Sequence, residues 1–439
     1  MTTPHRRAFL EQTGATLAAT AALSLVKPAR AAAANDTIAM ALIGCGGRGR
    51  SVARNLAALD GVTMTWVCDP DQRRAAEAVR ELEDATGRRP RVTADLREVL
   101  DDDAVDAVQI ATPDHWHAPA AILACQAGKH VYVEKPCSHN VREGRLLVEA
   151  AQRHGRVVQT GTQSRSNEHI LRAMSLLAEG AIGRVLVAKA WNSQRRADIG
   201  HAVPSAEPDG FDYDLWLGPA PQVPFQSNRH HYTWHWWYDF GTGDMGNDGV
   251  HELDIARWGL GVEVHPQRVA AVGGKYYFDD DQQFPDTQYV VFEYAGDGSF
   301  GQRRQLIYEH RIWSPYVQEG HENGNAFYGT DGMLILGKHG GWKLFGPRNQ
   351  LIESMSGTPG DPAHQADFIE AIRAGRPPRA SAEVGHLSAT LCHLGNIACR
   401  VGRSLTFDPQ REVIVDDDEA APLVGRTYRQ GHWAVPTGV

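Results

Sequence analysis

The sequence predicts an α/β protein in which a doubly wound parallel sheet is followed by an α+β domain with an open, mostly antiparallel sheet. Three observations carry this. The apolar run Ile38–Ile43 stops abruptly in glycines, with Gly44, Gly46 and Gly49 in the spacing G-x-G-x-x-G. In that spacing the first glycine permits a tight turn, the second lets a ligand approach the backbone, and the third lets the following helix sit close to the strand. Between Pro70 and Thr160 short apolar runs alternate with helical segments, the pattern of a parallel sheet with crossover helices. Beyond about residue 260 strand-like runs follow one another with no helix between them, which favours antiparallel pairing.

Taken in order, the chain opens with Arg6-Arg7-Ala8-Phe9-Leu10, an apolar segment from Gly14 to Val26, and Ala29-Arg30-Ala31. Twin arginines before a modest hydrophobic region and a small-residue cleavage site read as a twin-arginine (Tat) export signal over residues 1–34. The Tat machinery is then an expected partner, and the expected location is periplasmic or otherwise extracytoplasmic. The apolar segment is too short to span a bilayer comfortably, so no stable membrane insertion is expected. A nucleotide-binding domain is expected over residues 36–161. Its helices are read at Ser51–Leu59, from Pro70 to about Gly87, at Leu96–Leu100, Ala118–Ala127 and Val141–His154. Its later strands are read at Val62–Val67, Arg91–Thr93, Ala107–Ala111, His130–Glu134 and Arg156–Thr160.

A second domain over 162–346 starts with a helix, Glu168–Glu179, and a strand, Gly183–Trp191. An irregular stretch from Asn192 to Gly246, rich in Pro, Gly, His and aromatics, is long enough to serve as a functional lid or arm. A helix at Asn247–Leu260 precedes strands at Arg268–Val272, Gln288–Tyr294, Arg304–His310, Gly332–Leu336 and Trp342–Leu344. Two helices, His364–Ala374 and Val384–Gly402, return the chain within 361–405, and residues 406–439 form a tail.

Composition narrows the function. With 439 residues the chain suits two domains, and 22% charged and 42% apolar residues are ordinary for a globular enzyme. A formal net charge of −9 leaves no basic stripe for a nucleic-acid partner. The six cysteines lack C-x-x-C spacing, so neither a zinc knuckle nor a disulfide scaffold is indicated.

The chemistry-bearing residues start at the glycine turn. Asp69, after the second strand, lies where a dinucleotide site places the carboxylate for the adenosine ribose hydroxyls. That carboxylate favours NAD, while Arg48, Arg50 and Arg73 could offset its repulsion of a 2′-phosphate, so NADP stays possible. Lys135, in Glu134-Lys135-Pro136, follows the strand His130–Glu134, and ligands of doubly wound sheets bind beyond the carboxyl ends of strands. An ammonium there can stabilise the charge that grows on a carbinol oxygen as hydride leaves its carbon, or take part in moving the proton.

The glycine turn, Cys68-Asp69, Thr112-Pro113-Asp114-His115-Trp116-His117, Glu134-Lys135-Pro136 and Gly246-Asn247-Asp248-Gly249-Val250-His251 together resemble the Gfo/Idh/MocA oxidoreductases over about residues 36–405. The resemblance implies a Rossmann domain, a C-terminal α/β domain with an open sheet, a tightly held NAD(H) or NADP(H), a sugar or cyclitol substrate, and a role for Lys135 in proton transfer. In that family an acid and a histidine four residues apart face the substrate. His251 matches the histidine, but the earlier position is Asn247, which cannot take a proton. Asp248 and Asp244 are the nearby carboxylates that could substitute. Asn247 reads equally as a substrate contact or as a helix N-cap.

The expected cofactor cradle is therefore Gly44, Gly46, Gly47, Arg48, Gly49 and Asp69, joined by Thr112, Pro113, His117, Glu134 and Lys135. The expected catalytic residues are Lys135, His251 and Asp248, and the expected substrate contacts are Lys135, Gln163, Arg165, Trp237, Asp244, Asn247 and His251. The run His230-His231-Tyr232-Thr233-Trp234-His235-Trp236-Trp237-Tyr238 could offer aromatic faces to a sugar or anchor the long loop by packing. A metal at His230, His231 and His235 is not expected, since no carboxylate partner is evident. The activity these residues predict is hydride transfer between a sugar or polyol carbon and bound nicotinamide. The competing activity is a redox-neutral, NAD-dependent glycosidase that oxidises, eliminates and re-reduces its sugar. A homo-oligomer through an exposed sheet face is a further possibility.

Overall fold

The computed structural model describes residues 37–438, and the twin-arginine segment lies outside the described residues. The first sheet is wholly parallel, in the order β3-β2-β1-β4-β5-β6. Its strands are β1 (Ile38–Ile43), β2 (Val62–Cys68), β3 (Arg91–Thr93), β4 (Ala107–Ile110), β5 (His130–Val133) and β6 (Val158–Thr160). Helices α1 (Gly47–Ala57), α2 (Gln72–Thr86), α3 (Leu96–Leu100), α4 (Asp114–Gln126) and α5 (Val141–His154) connect them. This is the Rossmann order, and its direction reverses between β1 and β4. Both faces are covered, so β4 is buried at every position, including Gln109, whose Nε2 donates to Gly49 O at 2.8 Å and braces the glycine turn.

Local signals start the helices. Asp71 caps α2 by accepting from Arg73 N at 2.8 Å, and Asn140 caps α5 by accepting from Glu143 N at 2.9 Å. The helix expected from Ala118 starts four residues earlier, at Asp114, and contains Pro119. A proline in that place leaves the carbonyl of His115 without its helical donor, and Arg426 Nη2 donates to it at 2.8 Å instead.

The second sheet has ten strands in the order β14-β13-β12-β11-β7-β10-β9-β8-β15-β16, and it is antiparallel except where β7 meets β10. After α6 (Glu168–Ala178) come β7 (Val185–Asn192), α7 (Tyr213–Leu217) and α8 (Val250–Leu260). The strands then run β8 (Arg268–Gly274), β9 (Thr287–Tyr294), β10 (Arg304–Arg311), β11 (Asn323–Gly329), β12 (Met333–Gly337), β13 (Gly341–Gly346) and β14 (Gln350–Met355). Helices α9 (Asp361–Ala374) and α10 (Ala382–Val401) precede β15 (Leu405–Asp408) and β16 (Val413–Val415). Four of these strands, β11, β14, β15 and β16, have no counterpart in the sequence reading. The last two come from the stretch read as a tail, which extends the sheet.

The helices α6, α8 and α10 cover one face of this sheet around Leu253, Ile255, Phe292, Tyr308 and Phe327. The returning helices join the two domains. Phe368 and Ile369 of α9 pack with Met40, Leu42 and Tyr132 of the first sheet, while α10 sends Ala389 toward that sheet's layer and Leu391 and Leu394 toward the second core.

The segment between β7 and α8 forms an arm across the first domain. It is joined there backbone to backbone, with Gln72 N donating to Gly210 O at 3.0 Å and Asp212 N to Pro70 O at 2.9 Å. Its aromatics pack on each other around Phe211, Tyr213, Trp216, Phe225, Trp237 and Phe240. Among the described residues no helix is long and apolar enough to cross a membrane.

Candidate active site

The arm and the carboxyl ends of the parallel strands enclose a cavity of about 400 Å³. The glycine turn lines it. Gly44 has φ +91°, and a Cβ there would come within 2.6 Å of the Ala111 backbone, while a Cβ on Gly49 would fall inside the van der Waals envelope of Gly44 O. By contrast a Cβ on Gly47 would meet nothing, because that position faces open space. Helix α1 begins there with Gly46 as a cap that offers no side-chain acceptor, so its first N–H groups are left for a ligand. Glycines fixed by sterics behind and an uncapped helix start in front are what a pyrophosphate needs, and the residues fit that group.

Asp69 follows β2 and lines the same cavity. Its Oδ2 accepts from Cys45 N at 2.7 Å and its Oδ1 from Asp71 N at 2.8 Å, which aims the carboxylate and leaves each oxygen a further lone pair. Burial lifts its pKa to about 6, and those two amides oppose the rise. The arginine beside it differs from the sequence reading. Arg50 is engaged with Glu77 and Glu81, and Arg48 bridges Glu134 and Asp361 at 2.7 Å each, although it still lines the cavity. Arg73 does not line the cavity; Arg74, one helix position on, does, and its Nη1 lies 3.1 Å from where a Gly46 Cβ would be.

On the side of the glycine turn away from Asp69 in the strand order stand the residues after β4 and β5. Thr112, Pro113, His117, Glu134 and Lys135 all line the cavity. His117 Nδ1 lies 2.6 Å from Pro136 O and Nε2 2.9 Å from Thr112 O. Burial lowers its pKa, and the two carbonyls and Glu134 oppose that fall. Burial would raise the Glu134 carboxyl, but Arg48 and Lys135 beside it hold it below its ordinary value. Lys135 Nζ donates to Asn247 O at 2.6 Å and to Asn247 Oδ1 at 3.2 Å. Asn247 lies in a wide π-helical turn, Met245–Gly249, that leads into α8. Its side chain caps nothing, so of the two sequence readings the helix-cap one falls away.

Several expected substrate contacts lie elsewhere. Arg165, on the short turn Gln163–Ser166, is buried in a bidentate pair with Asp254 (Nε–Oδ2 2.7 Å, Nη2–Oδ1 2.9 Å), and neither it nor Gln163 lines the cavity. Trp237 packs inside the arm under Arg229, and Asp244 is buried accepting from Asn192 Nδ2 at 2.7 Å and Arg196 Nε at 3.0 Å. Behind Asn247, Asp248 is clamped between Arg196 and Lys338, and Lys338 also reaches Glu252 at 3.2 Å. Burial would raise the Asp248 carboxyl, yet those two cations hold it well below its ordinary value, which makes it a counter-charge and a poor proton acceptor. His251 is buried, lies outside the cavity lining, and is driven well down by burial and by Lys338 and Lys135.

Other residues complete the lining, some from the aromatic run that the sequence offered as a sugar platform and some from outside it. Asp114 is buried with its carboxyl raised by burial to about 7, and Thr242 Oγ1 donates to its Oδ2 at 2.6 Å. From the arm come Trp216, His231, Tyr232, Trp234 and His235, and from the C-terminal stretch Trp433. The carboxylate partner that the histidine run lacked in sequence is Asp71, 2.8 Å from His231 Nε2, whereas His235 turns to Tyr232 O.

Comparison with known proteins bears on the same residues. The sequence model of an oxidoreductase family's NAD-binding Rossmann fold matches residues 38–162, and that of the same family's C-terminal alpha/beta domain matches 190–435. The chain belongs to the Gfo/Idh/MocA family. Among curated members, inositol 2-dehydrogenase 2 of Saccharopolyspora erythraea is 31% identical over 264 residues, covering 58% of this chain and 63% of that protein. Glycosyl hydrolase family 109 protein 1 of a Shewanella species is 29% identical over 203 residues, 42% of this chain and 44% of that one. Among solved structures, a levoglucosan dehydrogenase in complex with NADH and levoglucosan superposes with a TM-score of 0.66 at 19% identity, covering 87% of this chain and all of that one. That likeness is one of fold. As a Gfo/Idh/MocA protein the chain carries an NAD-binding Rossmann domain and a C-terminal open sheet, as its sequence predicts.

Proposed function

We propose that the chain moves a hydride between a ring carbinol carbon of a sugar or polyol and a nicotinamide nucleotide held tightly in the N-terminal cleft. One observation carries this reading: Lys135 brings its ammonium to Asn247 in the same cavity that the glycine turn and Asp69 line. When bound there, the nucleotide supplies the hydride acceptor. The first turn of α1 binds its pyrophosphate, and Asp69 accepts from its ribose hydroxyls. Lys135 spends two of its three N–H groups on Asn247; the third lies on the substrate oxygen and passes to it as hydride reaches the carbonyl carbon, and in the oxidising direction the free amine takes that proton back as hydride leaves. His251 and Asp248 act through Lys135, setting the field behind Asn247. Arg74 beside Asp69 is the group by which a 2′-phosphate would be accommodated.

The Arg6-Arg7 segment supports export by the twin-arginine route, and hence work outside the cytoplasm with the cofactor already loaded. Free nucleotide is scarce there, so a second sugar would return the hydride. Val272, Tyr289 and Tyr328, exposed on the uncovered sheet face, support a homo-oligomer. The relatives named as family 109 glycosyl hydrolases favour a second reading, in which transient oxidation of a glycoside is followed by elimination and return of the hydride.

The test purifies the protein without added cofactor, records nicotinamide absorbance, and supplies sugars and aryl glycosides. Reduction that stalls after one equivalent until a keto-sugar is added is the expected result. Sustained aglycone release with no net reduction would favour the second reading, and no nicotinamide-linked activity of either kind would refute both.

A further inference from the structure

We propose that His235 selects the substrate: its unprotonated Nε2 accepts the hydroxyl next to the one that Lys135 engages, so that the site takes a vicinal diol. The proposal rests on the reading that a polyol is the substrate. His235 lies on the short turn Thr233–Trp236 of the arm, is 7% exposed, and lines the cavity together with Lys135, Asn247 and Tyr232. Its Nδ1 is 2.5 Å from Tyr232 O. A carbonyl oxygen only accepts, so Nδ1 holds the proton and donates, and a neutral ring then has a bare lone pair at Nε2. Burial is the main cause that keeps the ring neutral, and among the charges acting on it that of Lys135 is the largest. The ring cannot turn to exchange its nitrogens cheaply. It stacks on Trp234 with centroids 3.6 Å apart and planes at 20°, and Tyr232 covers it at 4.7 Å.

The cavity thus presents a fixed donor, the third N–H of Lys135, and a fixed acceptor, His235 Nε2. Asn247, which Lys135 holds, also donates to the Tyr232 hydroxyl at 3.4 Å, and the Tyr232 ring covers His235, so donor and acceptor belong to neighbouring parts of the lining and suit two neighbouring hydroxyls, one oxygen accepting from the ammonium while the adjoining O–H donates to the imidazole. A deoxy or O-methyl group in the second place has no proton to give and leaves the buried acceptor unpaired, and sites built around such a bond reject the analogue strongly. The arm supplies selection while the parallel strands supply the chemistry, which explains why a histidine from the aromatic run reaches the cavity when Trp236 and Trp237 of the same run pack away from it.

The test uses the full chain loaded with NAD. Myo-inositol, scyllo-inositol, D-glucose and 1,6-anhydroglucose are the probes, followed by the monodeoxy and mono-O-methyl derivatives of the fastest. Wild type is expected to lose about a hundredfold or more in kcat/KM for the derivative altered next to the oxidised carbon. His235→Ala is expected to lose activity on the parent sugar and to discriminate less than tenfold, with His235→Gln, which keeps an acceptor, in between. A second readout needs no turnover: with nitrogen-15 histidine, His235 Nε2 should resonate as an unprotonated imidazole nitrogen and move toward the hydrogen-bonded position when a polyol is added. If no polyol is oxidised but that resonance moves, the selection stands and the redox reading falls. If polyols are oxidised while His235→Ala keeps the full discrimination, the proposal is overturned and the redox reading stands. An Nε2 that is protonated without ligand, or that no polyol shifts, also overturns it.

Discussion

Replacing Arg165 by Met separates a structural from a substrate-binding role. Arg165 and Asp254 are almost wholly buried, joined by two charge-assisted bonds, and the guanidinium lies 4.7 Å from the Trp258 ring. Methionine can fill much of the volume but leaves the carboxylate with Ser388 Oγ at 2.6 Å and Arg257 Nη2 at 3.7 Å. Breaking a buried pair by removing one partner costs about 3–5 kcal/mol. The two groups left on Asp254 place the expected loss near the lower end, at about 3 kcal/mol. With an unfolding entropy of about 2.1 cal/mol/K per residue over a chain of this size, that is a drop of roughly 3–4 °C in melting midpoint. Equilibrium urea unfolding and calorimetry measure the loss, and steady-state kinetics on the preferred polyol should show KM changed by less than about twofold. Converting both partners to apolar residues, Arg165→Met with Asp254→Leu, should recover a large part of the stability. An unchanged midpoint together with a raised KM would refute the reasoning and return Arg165 to the substrate site.

Lys135→Ala should lower kcat/KM by about 10²–10⁴ while nicotinamide absorbance stays with the purified protein, and unimpaired turnover would remove the lysine from the chemistry. Gly49→Ala puts a Cβ into Gly44 O and 3.2 Å from Ala111 Cβ, so it should cost about 1–3 kcal/mol and strip most of the copurifying nucleotide; ordinary cofactor content would contradict the steric account. Asp69, lifted by burial to about 6, offers a carboxylate above that pH and loses it below, so nucleotide affinity measured by fluorescence titration should fall as pH drops from 7 to 5, and Asp69→Asn should flatten the profile. Glu412 gathers Arg145, His265 and His386 on one oxygen. Burial would raise its carboxyl, but those partners hold it far below its ordinary value. A depressed carboxyl stabilises the fold above about pH 4.5 and loses that contribution as pH falls further, so the gap between wild type and Glu412→Gln in urea midpoint should shrink on acidification; a constant gap would argue against the charge.

Much of this was legible in sequence where the physical cause is local. The glycine turn was readable because Gly44 and Gly49 answer to close contacts at the ends of β1 and β4, and β4 and β5 showed as apolar runs because parallel strands are buried on both faces. Strand β11 was not readable. Its Gly324 lies against the Trp191 ring and its Asn325 Nδ2 donates to Glu252 O at 2.8 Å, so residues of poor strand propensity are required by partners far along the chain. Edge strand β14 is almost wholly exposed and lacks alternation. The same distance problem misplaced side chains in the site. Arg165 looked like a cavity residue because the strand before it ends at the mouth, and only Asp254, 89 residues later, reveals where it points. The choice of Arg74 over Arg73 is a matter of helix phase that composition does not show. In the aromatic run, packed and cavity-lining positions are divided residue by residue.

The arm's two main-chain bonds, from Gln72 to Gly210 and from Asp212 to Pro70, lie across the loop that follows Asp69. Being made by the backbone, this clasp is indifferent to side-chain drift and opens only when the segment lifts as a unit. If a nucleotide is held beneath it, the rate of its replacement is expected to level off as outside nucleotide is raised, the plateau marking the lifting of the clasp.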